Sequence, residues 1–202
     1  ALIFLAILAG LVALLFAGVR LFLHGAGPAR VSQFTPLGTG LGEATILLLV
    51  SLAALIMARI EHRRFGQYGL PLASAFRKDF WIGTLAGFLA ISASLLGVFV
   101  LHGFRLTGLA IHGRTIASAT AAWGAAFVVV GLAEEFTFRG YLQFTLTTGM
   151  GFWPSAVLLS ALFGLAHAGN PGETIPGLLS VVCFGLLFCL FLRRTGNLWW
   201  AV

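Results

Sequence analysis

Residues Ile116 to Leu146 read IASATAAWGAAFVVVGLAEEFTFRGYLQFTL. As an α-helix this run is more than long enough to cross a bilayer, whose hydrocarbon core of ~30 Å takes about 20 apolar residues. It is uncharged except for Glu134, Glu135 and Arg139, although the whole chain has only six acidic residues. A charge at bilayer depth costs about 2.5–3.5 kcal/mol even on the lenient insertion scale, so two adjacent carboxylates in such a run imply a use.

The rest of the chain has the same character. Of 202 residues, 59% are hydrophobic and 9% charged, with a mean hydropathy of +1.02. A soluble domain carries about 25% charged residues, so this chain cannot clothe itself for water and reads as an integral membrane protein. Apolar runs of spanning length fall at Leu2–Leu23, Leu41–Ala58, Phe80–Leu101, Ile116–Leu146, Trp153–Ala168 and Ile175–Leu192, and a further run begins at Asn197-Leu198-Trp199-Trp200. An open sheet leaves backbone groups unsatisfied in lipid, and the runs lack the alternation of barrel strands. The expectation is an all-α, polytopic transmembrane bundle of about six full spans plus the start of a seventh. It divides into N-terminal helices (1–115), with a basic cytoplasmic loop at 59–80, and a second group of helices (116–202) that carries the acidic pair. No internal repeat stands out. The chain begins at Ala1 and ends at Val202 inside an apolar run, which reads as a fragment.

Lys and Arg outnumber Asp and Glu twelve to six, and the excess sits in short loops. That distribution suits topology and anionic lipid headgroups as partners, with no nucleic-acid surface. Arg59, Arg63, Arg64, Arg77, Lys78, Arg193 and Arg194 fall on one side, against Arg20, Arg30, Arg105 and Arg114 on the other, so the N-terminus is expected inside. Leu72, Phe76 and Phe80 at i, i+4, i+8 predict a short interfacial helix over Pro71–Phe80. Trp81, Trp153, Trp199 and Trp200 read as belt residues, and His24, His62, His102 and His112 as residues of the membrane edges. Cys183 and Cys189 lie six residues apart on one helix, pointing to different faces, so neither a disulfide nor a Cys-x-x-Cys metal site is expected.

Within the charged run, Glu135 and Arg139 are i, i+4 neighbours and can form an ion pair. Glu134 lies ~100° around the same helix, above Phe127, Val130, Gly131, Phe138 and Tyr141, in dry surroundings suited to a general base. Two carboxylates held in different environments commonly divide acid–base work. The next helix supplies His167. A turn at Thr148–Phe152, with Pro154 behind it, joins the two helices, and Glu134 and His167 each stand 14 residues from it (134 to 148, 153 to 167). At ~1.5 Å per residue both lie about 21 Å from the turn, at matching depth on antiparallel neighbours. Ala156, Ser160 and Gly164 share the face of His167, and such small residues let helices approach closely. A Glu and a His meeting in a dry cavity can deprotonate water and steady the resulting oxyanion, or hold a divalent metal such as zinc that does so. Asn170, in His-Ala-Gly-Asn-Pro, is expected to end the helix ahead of Pro171 and is also within reach of donating into the site. Glu173 reads as a solvated loop residue.

The pattern Glu134-Glu135-x-x-x-Arg139 followed by Phe163-x-x-x-His167 resembles the signature of the CPBP group, which comprises CAAX prenyl endopeptidases and bacteriocin-processing enzymes of the Abi family. Thr195-Gly196-Asn197-Leu198-Trp199 is similar to the stretch leading into that family's next helix, and the resemblance covers about Ile116 to Val202. It implies an intramembrane endopeptidase of the bacterial plasma membrane, acting on a protein or peptide that can be lipidated. Glu134 and His167 would activate the hydrolytic water, with Glu135 and Arg139 orienting them. Members are described both as metalloproteases, which would place a metal on Glu134 and His167, and as glutamate-type proteases. The family's last motif, a His followed four residues later by an Asn, is expected just past Val202. No His-Glu-x-x-His occurs, so a soluble zincin is excluded. Two other readings compete: a non-enzymatic scaffold or ion-coupled transporter that uses the buried pair, and a catalytically inactive family member. A transporter of that kind should show an inverted repeat, and none is found.

Overall fold

A computed structural model describes residues 1–22 and 34–202. The end of the first span at Leu23, the edge residue His24 and the outer charge Arg30 lie outside the described residues. The described chain is helical, in the order α1 (Leu2–Phe22), α2 (Pro36–Ile60), α3 (Lys78–Val100), α4 (Arg114–Glu135), α5 (Tyr141–Met150), α6 (Phe152–His167) and α7 (Ile175–Thr195). A π turn, Phe136–Gly140, joins α4 to α5, and two 3₁₀ turns, Phe65–Tyr68 and Leu72–Ser74, lie between α2 and α3. Local sequence sets the helix starts. The hydroxyl of Thr35 accepts from Gly38 N at 3.1 Å and that of Thr174 from Gly177 N at 3.2 Å, each with a proline in the first turn. Gly196, at φ 71°, closes α7 in the left-handed conformation that suits glycine.

Five stretches are long and apolar enough to cross a membrane: Leu2–Arg20, Pro36–Ile60, Lys78–Val100, Arg114–Met150 and Ile175–Thr195. The sixth, α6, is apolar but has only 16 residues, about 24 Å at ~1.5 Å per residue. These correspond to the six expected spans. The membrane character also shows in what stays outside the core. α3 buries only Phe80 while Phe88, Ile91, Leu95, Leu96 and Val100 are exposed. A water-soluble monomer does not present so continuous an apolar face.

The stretch expected to start a seventh span opens with a helical turn, in which Ala201 N and Val202 N both donate to Leu198 O, at 2.9 and 3.0 Å. Two expectations change. Trp199 is buried rather than a belt residue, because its Nε1 donates to Pro71 O at 3.0 Å and its ring faces Phe76. Pro71–Phe80 does not form one interfacial helix. Phe76 takes φ 52° and breaks the run, which turns its ring onto Phe80 and Trp199, and α3 starts only at Lys78. Burial of aromatic area against Trp199 outweighs an isolated helical turn that would have to nucleate by itself.

The same contacts gather the basic residues at one end of the bundle. Leu198 N donates to Gly69 O at 2.7 Å, Asn197 Nδ2 donates to Asp79 Oδ2 at 3.0 Å, and Arg193 lies over the rings of Phe152 and Trp153. The loop after α2, the α5–α6 turn and the end of α7 therefore share a face. Glu61 fastens that loop to α5, accepting from Tyr141 at 2.6 Å and Tyr68 at 3.1 Å. Tyr68 is buried, and burial together with its hydrogen bond to Glu61 pushes its phenol well above the ordinary tyrosine range.

The small residues of α6 pack mainly on α7. A Cβ on Gly164 would stand 2.5 Å from Val182 Cγ2, and one on Gly185 would stand 2.7 Å from Arg139 Nη2 and 2.9 Å from Ser160 Cβ. Gly185→Ala should therefore lower stability by about 1–3 kcal/mol through overpacking. Gly10→Ala, where nothing lies within 4 Å, should be neutral or slightly stabilising. Thermal unfolding of both variants in detergent checks the contrast.

Candidate active site

Glu134 and Glu135 are the last two residues of α4, and the π turn begins immediately after them. Such turns widen a helix locally and concentrate at functional positions. Gly140 makes this one sterically feasible, since a Cβ there would stand 2.7 Å from the Phe136 ring. The turn also divides the stripe expected beneath Glu134. Phe138 stays on the Glu134 side, whereas Tyr141 swings away to stack on Phe4, ring centroids 4.5 Å apart, and to reach Glu61.

Glu135 points into the bundle. Its Oε1 accepts from Arg139 Nη1 at 3.1 Å, and the two residues are 2% and 1% exposed. The Arg139 guanidinium lies 4.3 Å from the ring centroid of Phe163, with Phe138 and Phe188 each 5.7 Å away. Aromatic faces thus take part of the role that water would play for a buried cation. Among the described residues, Glu135 Oε2, Thr137 Oγ1, Arg139 Nε and Arg139 Nη2 have no hydrogen-bond partner.

Glu134 points the other way, into a cavity of about 320 Å³. His167, the last residue of α6, enters the same cavity with its Nε2 3.7 Å from Glu134 Oε1. That is too long for a direct hydrogen bond. The other ring nitrogen, Nδ1, lies 2.9 Å from Phe163 O. A carbonyl can only accept, so Nδ1 carries the hydrogen, and in the neutral ring the Nε2 lone pair faces Glu134. The Phe163 ring packs edge-on to the imidazole at 4.7 Å and fixes its plane. Glu134 and His167 therefore present two acceptors across a gap, a geometry that welcomes a donor such as water.

Ala133, Thr137 and Phe138 from α4 and the π turn, Phe163 and Ala166 from α6, and Ile46 from α2 form the walls. Asn170 stands just past the end of α6, as expected of it. Its N–H donates to His167 O at 3.0 Å, ending α6, and the residue also lines the cavity. Sequence reasoning missed Glu43. It sits in α2, about 10 Å from the helix start at ~1.5 Å per residue, and lines the cavity beside Glu134 and His167. The signal was present, because a carboxylate inside an apolar run is as costly there as in α4. Only the contact of α2 with α4 assigns it to this site. Cys183 and Cys189 are both free, the first exposed and the second buried.

A catalytic zinc takes three protein ligands plus water. Among the described residues no group of three His, Cys, Asp or Glu is placed to hold a metal. Glu134 and His167 supply two donors and do not complete such a site.

Residues 115–202 match the family model described as type II CAAX prenyl endopeptidase Rce1-like, which agrees with the CPBP-type resemblance of the motifs. The match covers 88 of the 202 residues, and the model it meets is that of a CAAX-type membrane protease family. The matched region contains Glu134, Glu135, Arg139 and His167 but not Glu43. No curated protein and no solved structure matches the chain.

Arg139→Met should destabilise the protein by about 3–5 kcal/mol, because it leaves Glu135 buried without a counter-charge. Adding Glu135→Leu to that variant should restore most of the loss. Chemical denaturation of the single and double variants measures both effects.

Proposed function

We propose that this chain, whose residues 115–202 match a CAAX-type membrane protease family, hydrolyses peptide bonds with Glu134 as general base and His167 as its partner. The observation that carries this reading is the 3.7 Å gap between Glu134 Oε1 and a His167 Nε2 whose opposite nitrogen is engaged by Phe163 O. A water in that gap donates to both groups and directs a lone pair at a substrate carbonyl. Glu134 takes one proton as the water oxygen bonds to the carbonyl carbon. In the tetrahedral adduct the C–N bond breaks, and the proton on Glu134 passes to the leaving nitrogen. The products are a carboxylic acid and an amine. The second O–H of the water stays donated to the Nε2 lone pair of His167, so the ring orientation set by Phe163 aims the attacking oxygen.

In this reading Glu135 and Arg139 are positioning residues. Their ion pair holds the π turn against α6 and α7, so Glu134 keeps its angle to His167. The substrate is a protein or peptide presented from the bilayer, and a prenylated carboxy-terminal peptide is the form to test first. In this reading Glu134 and His167 activate the water directly, and the same two side chains would be the donors to any divalent metal recruited there.

Glu134→Gln keeps the shape of the side chain but cannot take the proton. Cleavage of a prenylated peptide in proteoliposomes should fall by at least about a hundredfold, with the unfolding midpoint unchanged. Cleavage at the wild-type rate would overturn the assignment. Incubation with a strong chelator should leave the wild-type rate unaltered. A loss that zinc restores would instead require further metal ligands.

A further inference from the structure

The Glu43 carboxylate comes from α2, outside the region that carries the protease signature, yet it lines the same cavity as Glu134 and His167. Nothing in the water-activating step uses it. Glu43 makes no hydrogen bond or ion pair among the described residues. The cavity thus has two carboxylates and one imidazole set on apolar walls of Ile46, Ala133, Phe138, Phe163 and Ala166. Arg139, the nearest cation in sequence, points away from Glu134 and is committed to Glu135 and three aromatic rings. Thr137, also in the lining, has a buried hydroxyl without a partner.

Two like charges beside an apolar wall repel more strongly than they would in water, and a cation between them relieves that repulsion. The position suits a long basic side chain. Glu43 lies about two turns from the capped start of α2, and His167 is the last residue of α6. A lysine or arginine entering at that end can lay its methylenes along Ile46 and Phe138 and bring its charge to Glu43.

We propose that Glu43 is a specificity-determining residue that binds a cationic side chain of the peptide substrate next to the scissile bond. The inference rests on the protease reading for its substrate, but its test is a binding measurement that needs no turnover. The probe is a pair of fluorescent peptides, identical except for lysine or norleucine at the residue beside the intended scissile bond. Binding is measured to the Glu134→Gln protein in nanodiscs, and again with Glu43→Gln or Glu43→Asp added. The lysine peptide should bind at least about tenfold more tightly than the norleucine peptide, as expected for a charge-assisted hydrogen bond in a dry site. Glu43→Gln should abolish that difference while leaving norleucine-peptide binding unchanged, and Glu43→Asp should restore part of it. Equal binding of the two peptides, or a preference that survives Glu43→Gln, overturns the inference. Preference for lysine together with wild-type cleavage by the Glu134→Gln protein would leave Glu43 as the cation site and remove the catalytic assignment instead.

Discussion

The Glu135–Arg139 ion pair is the constraint around which the rest of the site is arranged. Removing two charges from water costs several kcal/mol per ion, and their attraction offsets this only where geometry and further contacts are good. The bundle supplies those contacts from three helices. The π turn carries Arg139 itself, α6 offers the face of Phe163, and α7 offers Phe188 and the bare backbone of Gly185. A side chain at Gly185 would collide with the guanidinium, so the close approach of α6 and α7 and the burial of Arg139 depend on each other.

That arrangement has a consequence one residue away. Adjacent positions on a helix differ by ~100°, so fixing Glu135 inward fixes Glu134 toward the cavity. Phe163 then serves twice. Its ring supports Arg139 on one side and packs against the His167 imidazole on the other, while its carbonyl holds His167 Nδ1. The buried pair and the water-facing pair are linked through this single residue. Its substitution should disturb both the stability term and the orientation of the imidazole.

The two ends of the bundle carry different chemistry. One end gathers Arg193, the loop after α2 and the Tyr68–Glu61–Tyr141 bonds, a set suited to headgroups and to fastening loops. The cavity lies toward the other end, among the start of α2 and the end of α6. If the basic end faces the cytoplasm, as the loop charges predict, the cavity lies in the outer half of the membrane.

Hydropathy alone determined that the chain is a helical membrane bundle, since a run of some twenty apolar residues has few other ways to satisfy its backbone in lipid. The local spacings of Glu134, Glu135 and Arg139, and the equal distances of Glu134 and His167 from the turn, were also legible, because the geometry of a helical hairpin follows from residue counts. The tertiary structure decided what counting cannot reach. It inserted the π turn that separates Phe138 from Tyr141, set the small face of α6 against α7, and buried Trp199 on Pro71. It also brought Glu43 from α2 to the side of His167. Each of these depends on contacts between segments far apart in sequence, where packing outweighs the local preferences that a sequence displays.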